Sequence, residues 1–187
     1  MRFDHNNFLV KPRSWESIDR DANLLRRTYG FHDKDYFPVI QFLEHILCNE
    51  AEAIDLDIIE DKDALEFEGC TSLDGKIIFL RNSVYKGAYK NQVRHRFTVA
   101  HEIGHAILHA GQTPTMALMS KHPDKPFCQS EPQANRFAAS LLAPFDRFNP
   151  YDNGASIAQR FGVSRNTAEI RIREYRKKIL GESEFDF

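Results

Sequence analysis

Arg96-Phe-Thr-Val-Ala-His-Glu-Ile-Gly-His-Ala-Ile-Leu-His109 carries the most weight in reading this 187-residue chain. Within it, His101, Glu102 and His105 spell H-E-x-x-H. Residues four apart stack on one face of a helix. Two imidazoles then converge on one ion, and the intervening glutamate faces the ion's solvent corner. This is the core of a zinc hydrolase, with His101 and His105 as metal ligands and Glu102 as the catalytic base. From Phe97 to Ala110 the only other polar residues are Thr98 and His109, so the helix is predicted to be buried nearly all round. Two buried histidines and a glutamate without partners are costly, and a cation removes most of that cost. Gly104 weakens the helix by about 1 kcal/mol relative to alanine. Its presence points to a close approach there, either of the ion's surroundings or of a packed neighbour.

A catalytic zinc usually takes three protein ligands and leaves the fourth position to water. The longer pattern H-E-x-x-H-x-x-G-x-x-H is excluded, because Leu108 stands where glycine is needed and Gly111 where histidine is needed. A second helix, Ser130-Glu-Pro-Gln-Ala-Asn-Arg-Phe-Ala-Ala-Ser-Leu-Leu-Ala143, offers Glu131 instead. Ser130 and Gln133 read as an S-x-x-Q capping box, with Pro132 tolerated in the first turn. Glu131 then lies at the helix start, and Asn135, one turn on, is placed to orient a ligating histidine through its free ring nitrogen. His109 lies one turn past His105, but three ligands on one straight helix would not surround a tetrahedral ion. Cys128, three residues before Glu131, reads either as a thiolate switch on the metal or as a small buried residue.

The run R-F-T-V-A-H-E-I-G-H-A-I-L-H, followed after a gap by E-x-x-A-N-R-F-A-A-S-L-L-A-P, resembles the ImmA/IrrE family of bacterial zinc metallopeptidases. The order of the motifs also resembles the gluzincin pattern, H-E-x-x-H followed by E-x-x-x-D, with Asn135 where that pattern has aspartate. Gln133 stands where many relatives carry an acid. The resemblance covers residues 50–180 and implies one Zn2+ held by His101, His105 and Glu131, with Glu102 as general base. It implies an α+β, zincin-like core and a zinc-dependent endopeptidase. Its expected partner is a specific intracellular regulatory protein of the transcriptional-repressor or antitoxin type.

Composition narrows the remaining choices. The formal net charge is -2, which gives no global electrostatic case for nucleic acid or membrane. Three cysteines, Cys48, Cys70 and Cys128, do not suggest a disulfide framework. No apolar run is long enough to span a membrane, and the N-terminus lacks a signal-peptide core, so a cytoplasmic protein is expected. A hydrophobic content of 42%, with 15 phenylalanines, is enough for a single core.

Along the chain, residues 1–49 read as a helical segment, with helices over 14–28 and 38–48. Residues 50–150 read as the metallopeptidase core. Alternation at Ala53–Ile58 and Leu65–Glu68, and the apolar run Lys76–Leu80 after the Asp74-Gly75 turn, predict three strands of a small antiparallel sheet. Lys76–Leu80 is a candidate edge for pairing with an extended substrate. Nine acids against one lysine between Glu50 and Glu68 read as a solvated face, or as a surface that admits a basic substrate. The loop around Met116, Leu118 and Met119 lines a cleft, forms a lid or packs on the core. Residues 151–187 form a helix-turn-helix-like segment, with Ile157–Ser164 as first helix and turn and Arg165–Lys178 as second helix. Between Gly154 and Gly181 there are seven basic and two acidic residues. That asymmetry keeps a second reading open: a DNA-binding regulator or toxin–antitoxin component whose metal site is structural or vestigial. For the donor that stabilises an oxyanion, Tyr85, Tyr89, Tyr175, His122 and Arg171 are all candidates.

Overall fold

The computed structural model describes residues 8–64, 66–112 and 125–180. Among them, seven helices and a three-stranded mixed sheet make an α+β fold. Helix α1 (Trp15–Thr28) begins where the Ser14 side chain accepts from the Ser17 amide. Helix α2 (Val39–Gln41) continues as a π-helical segment, Phe42–Glu50. Tyr29, Phe31, Phe37 and Phe42 meet edge-on or tilted beside it, with ring centroids 5.0–5.9 Å apart.

The sheet departs from the antiparallel expectation. Strand β1 (Asp55–Ile59) runs parallel to β3 (Ile77–Arg81), while β2 (Gly69–Thr71) pairs antiparallel with β3, in the order β1-β3-β2. The β2–β3 pair is a hairpin closed at Asp74-Gly75, and β3 then runs back between β1 and β2. A strand inserted this way repeats the direction of the first. Gly75, at φ 72°, is required twice: for the left-handed turn, and because a Cβ there would lie 2.6 Å from that of Ala110. The alternation at Leu65–Glu68 is not the strand; the strand starts at Gly69, and Leu65 lies outside the described residues. Lys76–Leu80 is also not an edge, because β3 is central; β2 and β1 are the edges.

The acidic run before β2 serves the fold. The Asp61 carboxylate accepts from the Ser83 amide at the start of helix α3 (Asn82–Tyr89), Glu60 accepts from Asn82, and Glu68 pairs with Arg94. Negative groups at a helix N-terminus complement its dipole.

Helix α4 (Val93–His109) is the central element, packed against α3, the sheet and helix α5 (Ser130–Leu142). Helices α6 (Gly154–Phe161) and α7 (Arg165–Tyr175) are joined through Gly162, at φ 63°, and bury Ile157, Phe161, Ala168 and Ile172 in the same core. Buried arginines act as cations at helix C-termini. Arg96 donates to the carbonyls of Phe161 and Gly162, and Arg26 and Arg171 donate to those of Leu141 and Ala143. Each meets the negative end of a helix dipole. No helix is long and apolar enough to cross a membrane among the described residues.

Asp19 on α1 ties α5 and α7 together. It accepts from Arg136 at 2.6 and 2.8 Å and from Ser140, and faces Arg171 at 3.7 Å. Burial alone would raise its pKa, but the Arg136 and Ser140 hydrogen bonds and the Arg171 and Arg136 charges outweigh it and lower the pKa. A folded pKa below the unfolded one gives stability that is present above the ordinary carboxylate range and lost as pH falls through the folded value. Asp19→Asn is therefore expected to cost about 3 kcal/mol at neutral pH in a denaturant titration. The difference from wild type should shrink steadily on acidification below about pH 4.

Candidate metal centre

One cleft, of about 180 Å3, lies between the start of α5, the middle of α4 and strand β2. His101, Glu102, His105, His109 and Glu131 line it, with Gly69, Cys70, Thr71 and Phe8. His101 and His105 stack on α4, and their Nε2 atoms lie 2.9 Å apart. The Glu131 carboxylate spans them, one oxygen 3.1 Å from each Nε2. No other group of three or more His, Cys, Asp or Glu side chains converges in this way among the described residues. A tetrahedral zinc with bonds of about 2.0–2.1 Å holds its ligands roughly 3.3 Å apart, so the triangle matches the span the ion needs. Two ring nitrogens facing a carboxylate suit a borderline-soft divalent cation, and the donor set fits it.

Charge in the cleft is consistent with that use. Burial would raise the Glu131 pKa, but hydrogen bonds from His101 and His105, and their charges, hold the carboxyl far below its usual range. Burial likewise opposes charge on His101, yet the Glu131 bond and the Glu102 and Glu131 charges raise its pKa. Glu131 therefore presents a carboxylate to the two rings.

Each first partner is held by a second. His101 Nδ1 lies 3.0 Å from Asn135 Oδ1, the contact expected of a residue one turn past Glu131. His105 Nδ1 lies 3.1 Å from Nδ1 of His109, which stays outside the triangle. His109 is pushed down to about 4, by burial first and then by the His105 charge. On the opposite side, Thr71 Oγ1 donates to Glu102 Oε2 at 2.8 Å. Gly69 leaves room for that carboxylate, since a Cβ there would lie 2.8 Å from Glu102 Cγ. Thr71 and Gly69 were not legible as site residues, because they come from a strand whose position the alternation misplaced.

Two expectations are corrected. The Ser130–Gln133 capping box does not form: Ser130 is already helical, the cap position is Gln129, and no side chain caps the helix. The reason is competition from the N-terminal arm. Ser130 Oγ accepts from the Phe8 amide, and Gln133 Nε2 donates to the carbonyls of Lys11 and Phe127. Among the described residues, the oxyanion candidates Tyr85, Tyr89, Tyr175 and Arg171 do not line the cleft. Tyr85 and Tyr89 both donate to Glu44, Tyr175 packs on Phe145 and Phe148, and Arg171 donates to Ala143. His122 and the segment with Met116, Leu118 and Met119 lie outside the described residues. Cys128 is buried in a single helical turn ahead of α5 and is not part of the donor triangle.

Zinc at about a hundred times its Kd is expected to add about 2.7 kcal/mol to the unfolding free energy. His105→Ala and Glu131→Ala should each remove that gain in thermal melts. A wild-type midpoint indifferent to zinc would count against the metal centre.

A search of curated proteins finds no match. Residues 51–173 match the family model of peptidase M78, described as the IrrE N-terminal-like domain, and the matched span contains both motif helices. The match covers well over half of the chain, and the protein belongs to this metallopeptidase family.

Proposed function

We propose that the protein is a zinc-dependent endopeptidase that cleaves a specific intracellular regulatory protein, of the transcriptional-repressor or antitoxin type. The observation that carries this reading is the triangle of His101, His105 and Glu131 with Glu102 in the same cleft, in a chain of a peptidase family. When bound there, a divalent ion supplies Lewis acidity that acidifies water and polarises a carbonyl. His101, His105 and Glu131 would hold it, with Asn135 and His109 orienting the rings. Glu102 takes the proton of the attacking water and passes it to the leaving amine. Thr71 keeps that carboxylate aimed into the cleft.

Edge strand β2 lines the cleft, and an extended peptide laid along it would bring a backbone carbonyl beside Glu102. Strand pairing reads backbone rather than side chains, so the choice of partner rests on contacts further out.

The basic C-terminal segment speaks for packing rather than for DNA. Arg160 pairs with Asp35 and Asp152, Arg165 with Glu169, and Lys178 with Glu16. Arg171 is fully enclosed, and Arg176 donates to the Asp152 carbonyl. Much of the positive charge that suggested DNA is spent on the protein's own acids and carbonyls.

Glu102→Gln is expected to lower cleavage by about 100- to 10,000-fold while leaving zinc stoichiometry at one. The assay incubates wild type and variant with the product of each neighbouring gene and follows fragments by mass spectrometry. Wild-type cleavage by the variant would overturn the mechanism. Gly69→Ala, which crowds the Glu102 carboxylate, should reduce cleavage by about 100-fold with zinc retained.

A further inference from the structure

We propose that His109, held by Gln133, is a positioning residue that fixes His105 in the one ring form able to bind metal through Nε2. The proposal rests on the metal-centre reading above.

The argument starts from hydrogen-bond donors alone. Gln133 is fully buried, and its side-chain amide touches the carbonyl oxygen of Lys11 at 3.0 Å and that of Phe127 at 2.7 Å. Carbonyls only accept, so the amide nitrogen must face them. The reversed amide would set three oxygens against one another. The oxygen end of Gln133 therefore faces His109 Nε2, at 3.2 Å, and can only accept. His109 Nε2 must carry hydrogen. A neutral imidazole carries one, so its Nδ1 is bare. That bare nitrogen lies 3.1 Å from His105 Nδ1. The contact is a hydrogen bond only when His105 carries its hydrogen on Nδ1. The lone pair of His105 is then on Nε2, facing Glu131 and His101. Two backbone carbonyls thus set the ring form of a metal ligand through two intervening side chains.

The relay also accounts for an amide at position 133. A carboxylate there would present oxygen to both carbonyls, with no hydrogen for either. The arm that supplies the Lys11 carbonyl is itself tied down. Val10 donates to the Cys128 carbonyl, Ser130 donates to that of Phe8, and the Phe8 ring meets the His109 ring edge-on at 6.1 Å. His109 is 4% exposed, so water does not substitute for either of its partners at the surface.

The test has two arms. Long-range 15N–1H correlation spectra of wild-type, zinc-loaded protein report the ring form of each histidine without any variant. The expected result is hydrogen on Nδ1 of His105 and on Nε2 of His109. Zinc affinity, measured by competition with a chelating dye, is then compared across variants whose metal-free melting temperatures show that they fold. His109→Phe and Gln133→Leu should each weaken zinc binding by about 10- to 100-fold, the usual effect of losing a ligand's outer partner. His109→Asn, which keeps an oxygen for the His105 hydrogen to meet, should recover most of that loss. Hydrogen on Nδ1 of His109, or a folded His109→Phe variant within twofold of wild-type affinity, would overturn the relay alone. Failure of wild type to bind zinc would overturn the relay together with the metal centre.

Discussion

The close approach of α4 and α5 is the constraint on which the centre depends. A Cβ on Gly104 would lie 3.2 Å from the Phe137 ring and 3.3 Å from the Ala134 backbone. Glycine opposite alanine lets the two helices meet almost backbone to backbone. Gly104 sits between His101 and His105 in sequence, and Ala134 lies one turn beyond Glu131. The same contact that packs the helices therefore sets the 3.1 Å separations between carboxylate and imidazoles. The propensity loss of about 1 kcal/mol at a helical glycine is small beside that. A wider residue would gain helix stability locally and move the third donor away from the other two.

Helix geometry then divides the labour around α4. Successive residues point about 100° apart on a helix of 3.6 residues per turn. His101 and His105 turn toward α5, while Glu102 turns toward β2, where Thr71 binds it and Gly69 makes room. Ligand and base can be neighbours in sequence because different elements receive them. The acceptors that orient the rings come from α5 and α4 themselves, and the donor that orients the base comes from the sheet.

What the sequence revealed follows from the range of the interactions involved. His101, Glu102 and His105 lie within one helical turn and a half, so their shared direction is a property of local geometry. The Asp74-Gly75 turn is equally local, and it forms as its residues suggest. Glu131 was reachable because coordination chemistry limits what a third ligand can be. The mixed sheet was not, since nothing in an alternating pattern says between which strands a later one will insert. The capping box failed for a related reason: Ser130 and Gln133 have the chemistry of a cap, but that chemistry was taken up by a segment more than a hundred residues earlier. Thr71 and Gly69 are ordinary strand residues until Glu102 is placed beside them.

The start of α5 joins these threads. Its first turn contains the third donor, yet no side chain caps it. Instead the Phe8 carbonyl receives the Ser130 amide, and Gln133 braces Lys11 and Phe127 together. Free amides at a helix start are a cost unless something accepts from them, and for Ser130 the acceptor is the Phe8 carbonyl of the N-terminal arm. The helix end that presents Glu131 is therefore finished only when the arm is docked. Anything that stabilises the donor triangle must also favour the docked arm, because the two share Gln133 and the first turn of α5. The docking of residues 8–11 and the first turn of α5 are in this way linked through a helix terminus rather than through the ligands themselves.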